Sequence, residues 1–528
     1  MKLQLISKKE RSNLKSNQLK IGTLLSYITL FVELIIGLVY TPILTKRLGQ
    51  AEYGLYSLVS SVISYLTILD MGFGSAIVVY TSRYRIKGQK EEEKRLHGMF
   101  FIIYLIIGCV AGILGYVMYL NIPTLFGNSM SIQEIEKAKI MMLILIGNLI
   151  ITFPMSVFTS IITAYEKFIF AKSLNIIRII ISPIITISLL FMGYKSISLV
   201  IVSTILNIIT LLINMIYCIK TIKIKFDFTK FNFKLLTGIF SFSFYIFLNT
   251  IIDKVNWSID QVVLGAVSGT ISVAIYNIAA QLNNIYLSFS TAISGVLLPK
   301  ITRMEEKKAT DEEFTNLFIK IGRLQYIVMI LIITGFILFG KEFMLLWQGK
   351  EYIQSYYIAC ILMIPVTVPL IQNTGISILQ AKNKHKFRTL VFFLIAIVNV
   401  CISIPLAKQY GGIGTAIGTA LSLILGQIII MNIYYYKKIN INIPKFWKEI
   451  FKMSFILIVP IIIGVLLNRF IVSTNFLLLF LKIIIYTSVY LFSIYRYSMN
   501  SSEKEMLSKP IKIFIKKLKL KKSGDNYD

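Results

Sequence analysis

Residues 98–120, GMFFIIYLIIGCVAGILGYVMYL, decide the fold class, because they form an apolar segment of helical length without a charged residue. A bilayer core about 30 Å thick needs roughly 20 such residues in a helix. Similar runs recur throughout the 528 residues, of which 56% are hydrophobic and 15% charged, and the mean hydropathy is +0.74. We therefore predict an all-α, polytopic membrane protein.

The apolar runs predict about 14 membrane-spanning helices. The predicted spans are 21–44, 53–80, 98–120, 139–163, 174–193, 197–219, 235–264, 270–298, 321–340, 355–379, 389–407, 412–436, 449–468 and 475–495.

The net charge of +30 reports topology rather than a nucleic-acid partner. With the N-terminus in the cytoplasm, about 41 Lys and Arg fall in cytoplasmic segments and about 9 in external ones. The opposite orientation inverts that ratio, so we predict that both termini are cytoplasmic. Some of the basic charge is also expected to attract anionic membrane lipids.

The membrane part is predicted to be an internal duplication. The first copy reads Ala164-Tyr165-Glu166-Lys167 and closes on Ile216-Tyr217. The second reads Ala381-Lys382-Asn383-Lys384 and closes on Ile433-Tyr434, roughly 217 residues later. Each half has an even number of spans, so we expect a parallel repeat with its pseudo-twofold axis along the membrane normal.

This reading predicts two six-helix lobes and two additional C-terminal helices. Arg323, Lys452 and Lys482 lie near span ends and are interpreted as interfacial anchors. A helix on the inner leaflet is predicted from the shared face of Ile511, Phe514, Ile515 and Leu518. The predicted segments are a basic N-terminus (1–20), the N-lobe (21–219), a cytoplasmic linker (220–234), the C-lobe (235–436), helices 13 and 14 (449–495) and a basic cytoplasmic tail with the interfacial helix (496–528).

Polar residues inside the seventh and eighth spans are the first candidates for a functional site. Each set is spaced 4, 3 and 4, which places it on one helix face. A water-filled cavity for substrate is one interpretation, favoured for the seventh span; hydrogen bonding between helices is the other. The two sets are Asn249, Asp253, Asn256 and Asp260, and Asn277, Gln281, Asn284 and Ser288.

Four other ionisable residues at membrane depth complete the candidates. Glu33 and Asp70 are candidates for coupling to H⁺ or Na⁺, because burial raises a carboxyl pKa towards neutrality; substrate contact and structural pairing are the alternatives for Glu33. Lys254 is expected to pair with an acidic group, bind an anionic substrate or extend to the interface. Arg178 is expected to contact a phosphate or to extend to the membrane interface.

Several motifs are absent from the sequence. It has no GxxxxGK[ST] loop and no HExxH, and both histidines, His97 and His385, fall in predicted cytoplasmic loops. All four cysteines lie in apolar runs and are interpreted as small buried hydrophobic residues. We therefore expect no metal, no organic cofactor, no nucleic-acid partner and no enzymatic activity.

Three motifs resemble those of the Wzx-type polysaccharide flippases of the multidrug/oligosaccharidyl-lipid/polysaccharide superfamily, which also contains the MATE transporters. They are the segment from Leu44 to Tyr56 (LTKRLGQAEYGLY), the segment from Leu69 to Ala76 (LDMGFGSA), and Ile259-Asp260-Gln261 with Leu264-Gly265 and Tyr276-Asn277-Ile278-Ala279. Of the candidate residues discussed above, Asp70 and Asp260 lie on motif positions, whereas Glu33, Asp253 and Lys254 do not.

The resemblance implies two six-helix lobes around a central cavity and a multi-pass protein of the bacterial plasma membrane. It also implies transfer of an undecaprenyl-diphosphate-linked oligosaccharide to the outer leaflet by alternating access, for capsule or exopolysaccharide synthesis, with polysaccharide polymerase machinery as a further partner. The alternatives are an ion-coupled drug or cation antiporter, a lipid II flippase and, with less support because the external loops are short, a membrane polysaccharide polymerase.

Overall fold

The computed structural model describes residues 8–229, 233–294, 297–501 and 503–505, and all regular elements among them are helical. The predicted interfacial helix at 511–518 lies outside the described residues. The α-helices are α1 (Lys8–Leu48), α2 (Gln50–Leu66), α3 (Phe73–Lys87), α4 (Lys90–Phe126), α5 (Ile132–Ala164), α6 (Phe168–Phe191), α7 (Ser196–Tyr217), α8 (Phe233–Ser294), α9 (Leu298–Glu306), α10 (Asp311–Trp347), α11 (Ile353–Ile371), α12 (Thr374–Ala381), α13 (His385–Leu423), α14 (Met431–Ile439), α15 (Ile443–Ile456), α16 (Ile458–Phe470) and α17 (Phe476–Ser493).

Short irregular helices connect some of these elements. Two are 3₁₀ turns and three are π-helical turns that extend α7, α13 and α17. They are Thr67–Asp70, Lys350–Tyr352, Cys218–Ile222, Ile424–Ile430 and Ile494–Ser498.

Twelve helical segments of the described chain are long and apolar enough to cross a membrane, and two of them contain a reversal. In α8, Gln261 Nε2 donates a 2.9 Å hydrogen bond to Asn277 Oδ1. In α13, Thr419 Oγ1 donates to Asn399 Oδ1 at 3.1 Å. In a straight helix, residues 16 and 20 positions apart would lie about 24 Å and about 30 Å apart, so both rods fold back on themselves. Counting each as two passes gives the 14 predicted spans and confirms a polytopic all-α membrane protein.

Both reversals occur at a glycine. Gly269 has φ 76° and Gly411 has φ 57°, in the left-handed region that side chains with a Cβ avoid. The chain therefore turns within one residue. Each rod becomes a helical hairpin, with arms 233–268 and 270–294 in α8.

The chain forms two compact units. The first contains Met1–Asn277 and Val400–Thr415, and the second contains Ile278–Asn399 and Ala416–Asp528. The first arm of α8 thus packs within the first unit. The lobe boundaries inferred from the order of the repeat stay a prediction.

The duplication is visible in the backbone of the two copies. Glu166 and Lys223 adopt left-handed φ angles of 57° and 60°, and Asn383 and Asn440 adopt 54° and 61°. Glu166 and Asn383, like Lys223 and Asn440, are separated by about 217 positions, the spacing of the sequence repeat. Left-handed residues other than glycine are uncommon, so this coincidence supports a common origin of the two segments.

An aromatic stack recurs at the same spacing. Phe170 and Tyr217 stack with ring centroids 3.7 Å apart and planes 11° apart. Phe387 and Tyr434 stack at 4.0 Å and 17°. In each copy the stack joins the helix that follows the left-handed turn to the helix that closes the copy.

Candidate functional site

A polar seam joins α2 to the α8 hairpin within the first unit. Asn277 is its centre: Nδ2 donates to the Tyr53 hydroxyl at 2.8 Å and to Ser57 Oγ at 3.0 Å, and Oδ1 accepts from Gln261. Ser61 in turn donates to Gln261 Oε1. The polar seam consists of Tyr53, Ser57, Ser61, Asp260, Gln261, Tyr276 and Asn277.

Two glycines allow the backbones to approach closely along the seam. A Cβ on Gly54 would lie 1.8 Å from the Thr270 carbonyl oxygen, and one on Gly265 would lie 2.5 Å from a methyl of Leu58. Small residues at helix crossings are a common device in membranes, where association depends on packing and hydrogen bonds. Two of the three sequence motifs therefore meet each other here.

Asp260 lies buried in the seam and is 2% exposed. Its Oδ2 accepts a hydrogen bond from the Tyr276 hydroxyl across the hairpin. Asn256, one turn earlier, is also buried. Lys254 is half-buried, and its carbonyl accepts from the Tyr65 hydroxyl at 3.4 Å.

The side chains of Asn249 and Asp253 lie outside what the structure describes. Asp260 and Asn277 both belong to the polar seam, because Asp260 accepts from Tyr276 and Asn277 accepts from Gln261. Asn277 forms hydrogen bonds between helices, which was one of its two interpretations. The interpretation of the two polar sets as the lining of a cavity stays a prediction.

A break in the second predicted span places Asp70 in a different setting. The short helix Thr67–Asp70 ends at Met71 (φ 51°) and Gly72 (φ 73°) before α3 begins. The Asp70 carboxylate accepts a 2.6 Å hydrogen bond from the Tyr104 hydroxyl and further bonds from the backbone N–H groups of Gly72 and Gly74. It therefore caps the N-terminus of α3, where the helix dipole favours negative charge.

This break resembles the discontinuous helices of transporters in its chemistry. Backbone that leaves the helical conformation at membrane depth is tolerated where it is buried in protein or lines a cavity. Among the described residues, Asp70 has a hydroxyl and amide partners but no ion pair. Such a carboxylate can bind a proton or a monovalent cation without first breaking a salt bridge.

The remaining predicted residues are dispersed. Glu33 is exposed on α1. Arg178 on α6 donates to Asn207 Oδ1 at 3.4 Å. Gln281 is half-buried and Asn284 is exposed, both on the second arm of α8. Among the described hydrogen bonds, none joins Glu33 or Arg178 to the polar seam.

A polar cluster that was not predicted from the sequence joins helix ends of the first unit. Glu52 at the start of α2 accepts hydrogen bonds from Lys137 on α5 and from the Ser196 hydroxyl at the start of α7. Its position inside the motif from Leu44 to Tyr56 was the only sequence signal. The cluster ties three helix ends together on the side that the topology assigns to the exterior.

A second cluster joins helix ends on the cytoplasmic side of the same unit. The Tyr165 hydroxyl donates to Glu93 Oε1 at 2.6 Å. Burial, together with this carboxylate, raises the pKa of the Tyr165 phenol, so the hydroxyl stays protonated and remains a donor at physiological pH. Within the described ranges, no group of three His, Cys, Asp or Glu is arranged to hold a metal ion.

Comparison with known proteins connects these features to one family. The profile of the family described as "Polysaccharide biosynthesis protein" matches residues 19–305. A putative O-antigen transporter of Shigella flexneri is 22% identical over 401 residues, covering 74% of this chain and 91% of the relative. The capsular polysaccharide biosynthesis protein CapF of Staphylococcus aureus is 26% identical over 241 residues, covering 44% of this chain and 56% of that protein.

Two solved structures share the fold. The lipid II flippase MurJ in an inward closed conformation has a TM-score of 0.70 at 19% identity, covering 89% of this chain and 98% of MurJ. An inward-facing multidrug transporter of the MATE family has a TM-score of 0.59 at 15% identity, covering 78% and 99%. The family match includes more than half of the sequence and both segments that form the polar seam. The chain is therefore a multi-pass membrane protein of the polysaccharide biosynthesis protein family.

Proposed function

We propose that the protein is a flippase that moves an undecaprenyl-diphosphate-linked oligosaccharide from the inner to the outer leaflet of the bacterial plasma membrane. The transfer proceeds by alternating access of the two lobes. It supplies repeat units to the polysaccharide polymerase machinery that builds a capsule or exopolysaccharide. The protein acts as a transporter and not as an enzyme.

The observation that carries this proposal is the shortness of every connection between helices. Among the described residues between α1 and α17, the longest connection outside a helix is 223–229, after the π-turn that follows α7. Connections of this length leave no room for a catalytic domain between the described helices. Its polar residues at membrane depth are therefore the groups available for handling a polar substrate.

The substrate explains why such groups are needed. A diphosphate or a sugar crossing hydrocarbon unaided loses its hydration, at several kcal/mol for each desolvated charge. Amides on the second arm of α8 (Asn277, Gln281, Asn284) and on its first arm (Asn249, Asn256) are proposed sugar contacts. Lys254 and Arg178 are proposed diphosphate contacts.

Asp70 and Glu33 are the proposed coupling residues for H⁺ or Na⁺, and Asp253 and Asp260 are proposed to keep the cavity hydrated. For Asp70 the proposal is supported by its place at a helix break with only hydroxyl and amide partners. For Glu33 the proposal rests only on its position in the first predicted span, because the side chain is exposed on α1.

Depletion of the protein in its bacterial host tests the function. The expected result is accumulation of the lipid-linked oligosaccharide in the inner leaflet, measured by leaflet-restricted labelling of the glycan. Accumulation of lipid II in the inner leaflet instead would identify the second candidate, a lipid II flippase, which has support from the fold shared with MurJ. Unchanged leaflet distribution with altered polymer length would contradict both.

Variants test the residues. Asp70→Asn, Asp260→Asn and Glu33→Gln are each expected to reduce export without loss of membrane insertion. Tyr104→Phe is the matched control for Asp70→Asn, since it removes the hydrogen bond to the carboxylate but keeps its charge. Wild-type export by all three carboxyl variants would reject the cavity and coupling assignments while leaving the depletion result intact.

A further inference from the structure

A basic cavity lies at the cytoplasmic end of the first unit. Its volume is about 450 Å³, and it is formed by the end of α3, the start of α4 and the residues that follow α7. Five cations line it and only one carboxylate, Glu93. The cations are Arg85, Lys90, Lys94, Lys223 and Lys225.

Most of these cations have no acidic partner. Lys94 pairs with Glu91 at 2.6 Å. The carboxylate of Glu93 already accepts from Tyr165. Arg85 donates to a backbone carbonyl, that of Ala164, at 2.8 Å. Among the described residues, Lys90, Lys223 and Lys225 have no ion pair, so the cavity carries uncompensated positive charge.

The wall that bears Lys223 and Lys225 is held in place. Downstream of these lysines, the Asp227 backbone N–H donates to the Lys94 carbonyl at 3.1 Å, and its carboxylate accepts from Arg95 at 3.4 Å. Hydrogen bonds from Thr229, with a smaller contribution from Arg95, hold the pKa of Asp227 below its usual range. The carboxylate stays ionised, so the segment remains tied to α4.

The second copy of the repeat provides an internal comparison. At the positions of Lys223 and Lys225 it has Asn440 and Asn442. Asn440 donates to Asp311 at 2.9 Å, and Lys382 pairs with Asp311 at 3.0 Å. The second copy thus has asparagine at both lysine positions, and its Lys382 is paired with a carboxylate.

Topology alone does not explain this difference. The positive-inside rule asks for basic residues on the cytoplasmic side of both copies, but it does not require them to line one cavity. The left-handed turn at Lys223 also favours asparagine over lysine. A lysine there has a local cost, which a binding role offsets.

Exposed apolar side chains lie on the same two segments as the cations. Ile86 is 87% exposed and Phe228 is 52% exposed, on the two segments that form the walls of the cavity. Cations beside exposed apolar side chains are typical of the membrane interface, where tails and headgroups meet. Basic pockets between transmembrane helices on the cytoplasmic side are suited to lipid headgroups.

We propose that the basic cavity binds the phosphate group of an anionic lipid at the cytoplasmic surface of the membrane. Lys90, Lys223 and Lys225 contact the phosphate oxygens, and Ile86 and Phe228 contact the acyl or prenyl chain. The same chemistry is presented by an ordinary anionic phospholipid and by the diphosphate of a prenyl carrier. The proposal does not require the protein to flip either lipid.

Binding by the full-length protein in phosphatidylcholine nanodiscs tests this. The probes are phosphatidylglycerol, undecaprenyl diphosphate and inorganic pyrophosphate, compared between wild type and the double variant Lys223→Asn with Lys225→Asn. Asparagine occupies both positions in the second copy, and Asn440 has nearly the same φ angle as Lys223. The double variant is therefore expected to fold. The matched control is Lys437→Asn with Lys438→Asn, which removes two exposed lysines from the same side of the second copy.

The expected result is a Kd for the anionic lipid roughly ten- to thirty-fold higher in the double variant and unchanged in the control. A preference for phosphatidylglycerol or for undecaprenyl diphosphate identifies the source. Binding of pyrophosphate alone, without either lipid, would overturn the lipid assignment. Equal affinities in wild type and double variant, or an equal loss in the control, would overturn the site.

Discussion

The two copies of the repeat have the same backbone at their cytoplasmic ends and different chemistry on it. Both have left-handed turns, at Lys223 and Asn440, about 217 positions apart. The first copy surrounds its turn with unpaired lysines, whereas the second has a closed group of Asp311, Lys382 and Asn440. The duplication therefore preserved the turn geometry while the charges diverged.

The same contrast holds for the buried charges of the two units. The first unit pairs the carboxylates of Asp70 and Asp260 with tyrosine hydroxyls. The second unit buries a cation, Arg323, against Glu503 at 2.7 Å and Glu449 at 3.0 Å. We call the cluster of Arg323, Glu449 and Glu503 the clamp. Removing one partner of a buried ion pair leaves the other charge uncompensated.

The largest expected effect comes from removing the clamp. Arg323→Met leaves Glu503, which is 0% exposed, without its cation, and an uncompensated buried charge costs about 3–5 kcal/mol. The expected result is a large drop in the thermal unfolding midpoint of the purified protein. Protease sensitivity of the segment after α17 should rise, since Glu503 ties it to α10.

A neighbouring lysine provides the control. Lys452 pairs with the same Glu449 at 2.8 Å, but its side chain is 60% exposed. Exposed pairs contribute about 0–1 kcal/mol, so Lys452→Met is expected to change little. Similar losses in the two variants would show that burial is not what distinguishes Arg323.

The burial of the charged residues in the second unit could not be predicted from the sequence. Arg323 and Lys482 lie near span ends, and their interpretation as interfacial anchors was wrong. Lys482 is 1% exposed and pairs with Glu342 at 2.6 Å. Hydropathy locates a charge along a helix, but it does not say which helix faces it. Burial of a charge depends on a partner more than 100 positions away, which periodicity cannot reveal.

The features that were predictable are local ones. Apolar length predicted the spans, whereas the cytoplasmic orientation inferred from the basic loops stays a prediction. The repeat was found because turns depend on a few neighbouring residues, such as those around Glu166 and Asn383. The polar seam required three-dimensional knowledge, since Tyr53 and Asn277 meet only after α8 reverses at Gly269.

An intermediate effect is expected from the aromatic stacks, which test the equivalence of the copies. Phe170→Ala and Phe387→Ala each remove one ring of a closely stacked pair, and the lost ring–ring contact is worth about 0.5–1.5 kcal/mol beyond the lost burial. Because the two stacks have nearly the same geometry, the losses should agree within about 0.5 kcal/mol. Thermal unfolding of the two variants measures this, and a loss confined to one variant would mean that the copies no longer use the stack alike.

The smallest expected effect comes from exchanging the residues at the left-handed turns. Lys223→Asn should increase the free energy of unfolding by roughly 0.5–1 kcal/mol, because asparagine tolerates this conformation better than lysine. The unfolding midpoint should therefore rise. Asn440→Lys should lower it, although the new ammonium group can still pair with Asp311. Lys223→Gly distinguishes relief of backbone strain from any effect of the asparagine side chain, since glycine has no Cβ and adopts positive φ freely. Measured in zwitterionic detergent without anionic lipid, both Lys223 variants should be stabilised. If neither is, lysine has no local cost at this turn, and the contrast between the copies would then lie in their side-chain partners alone.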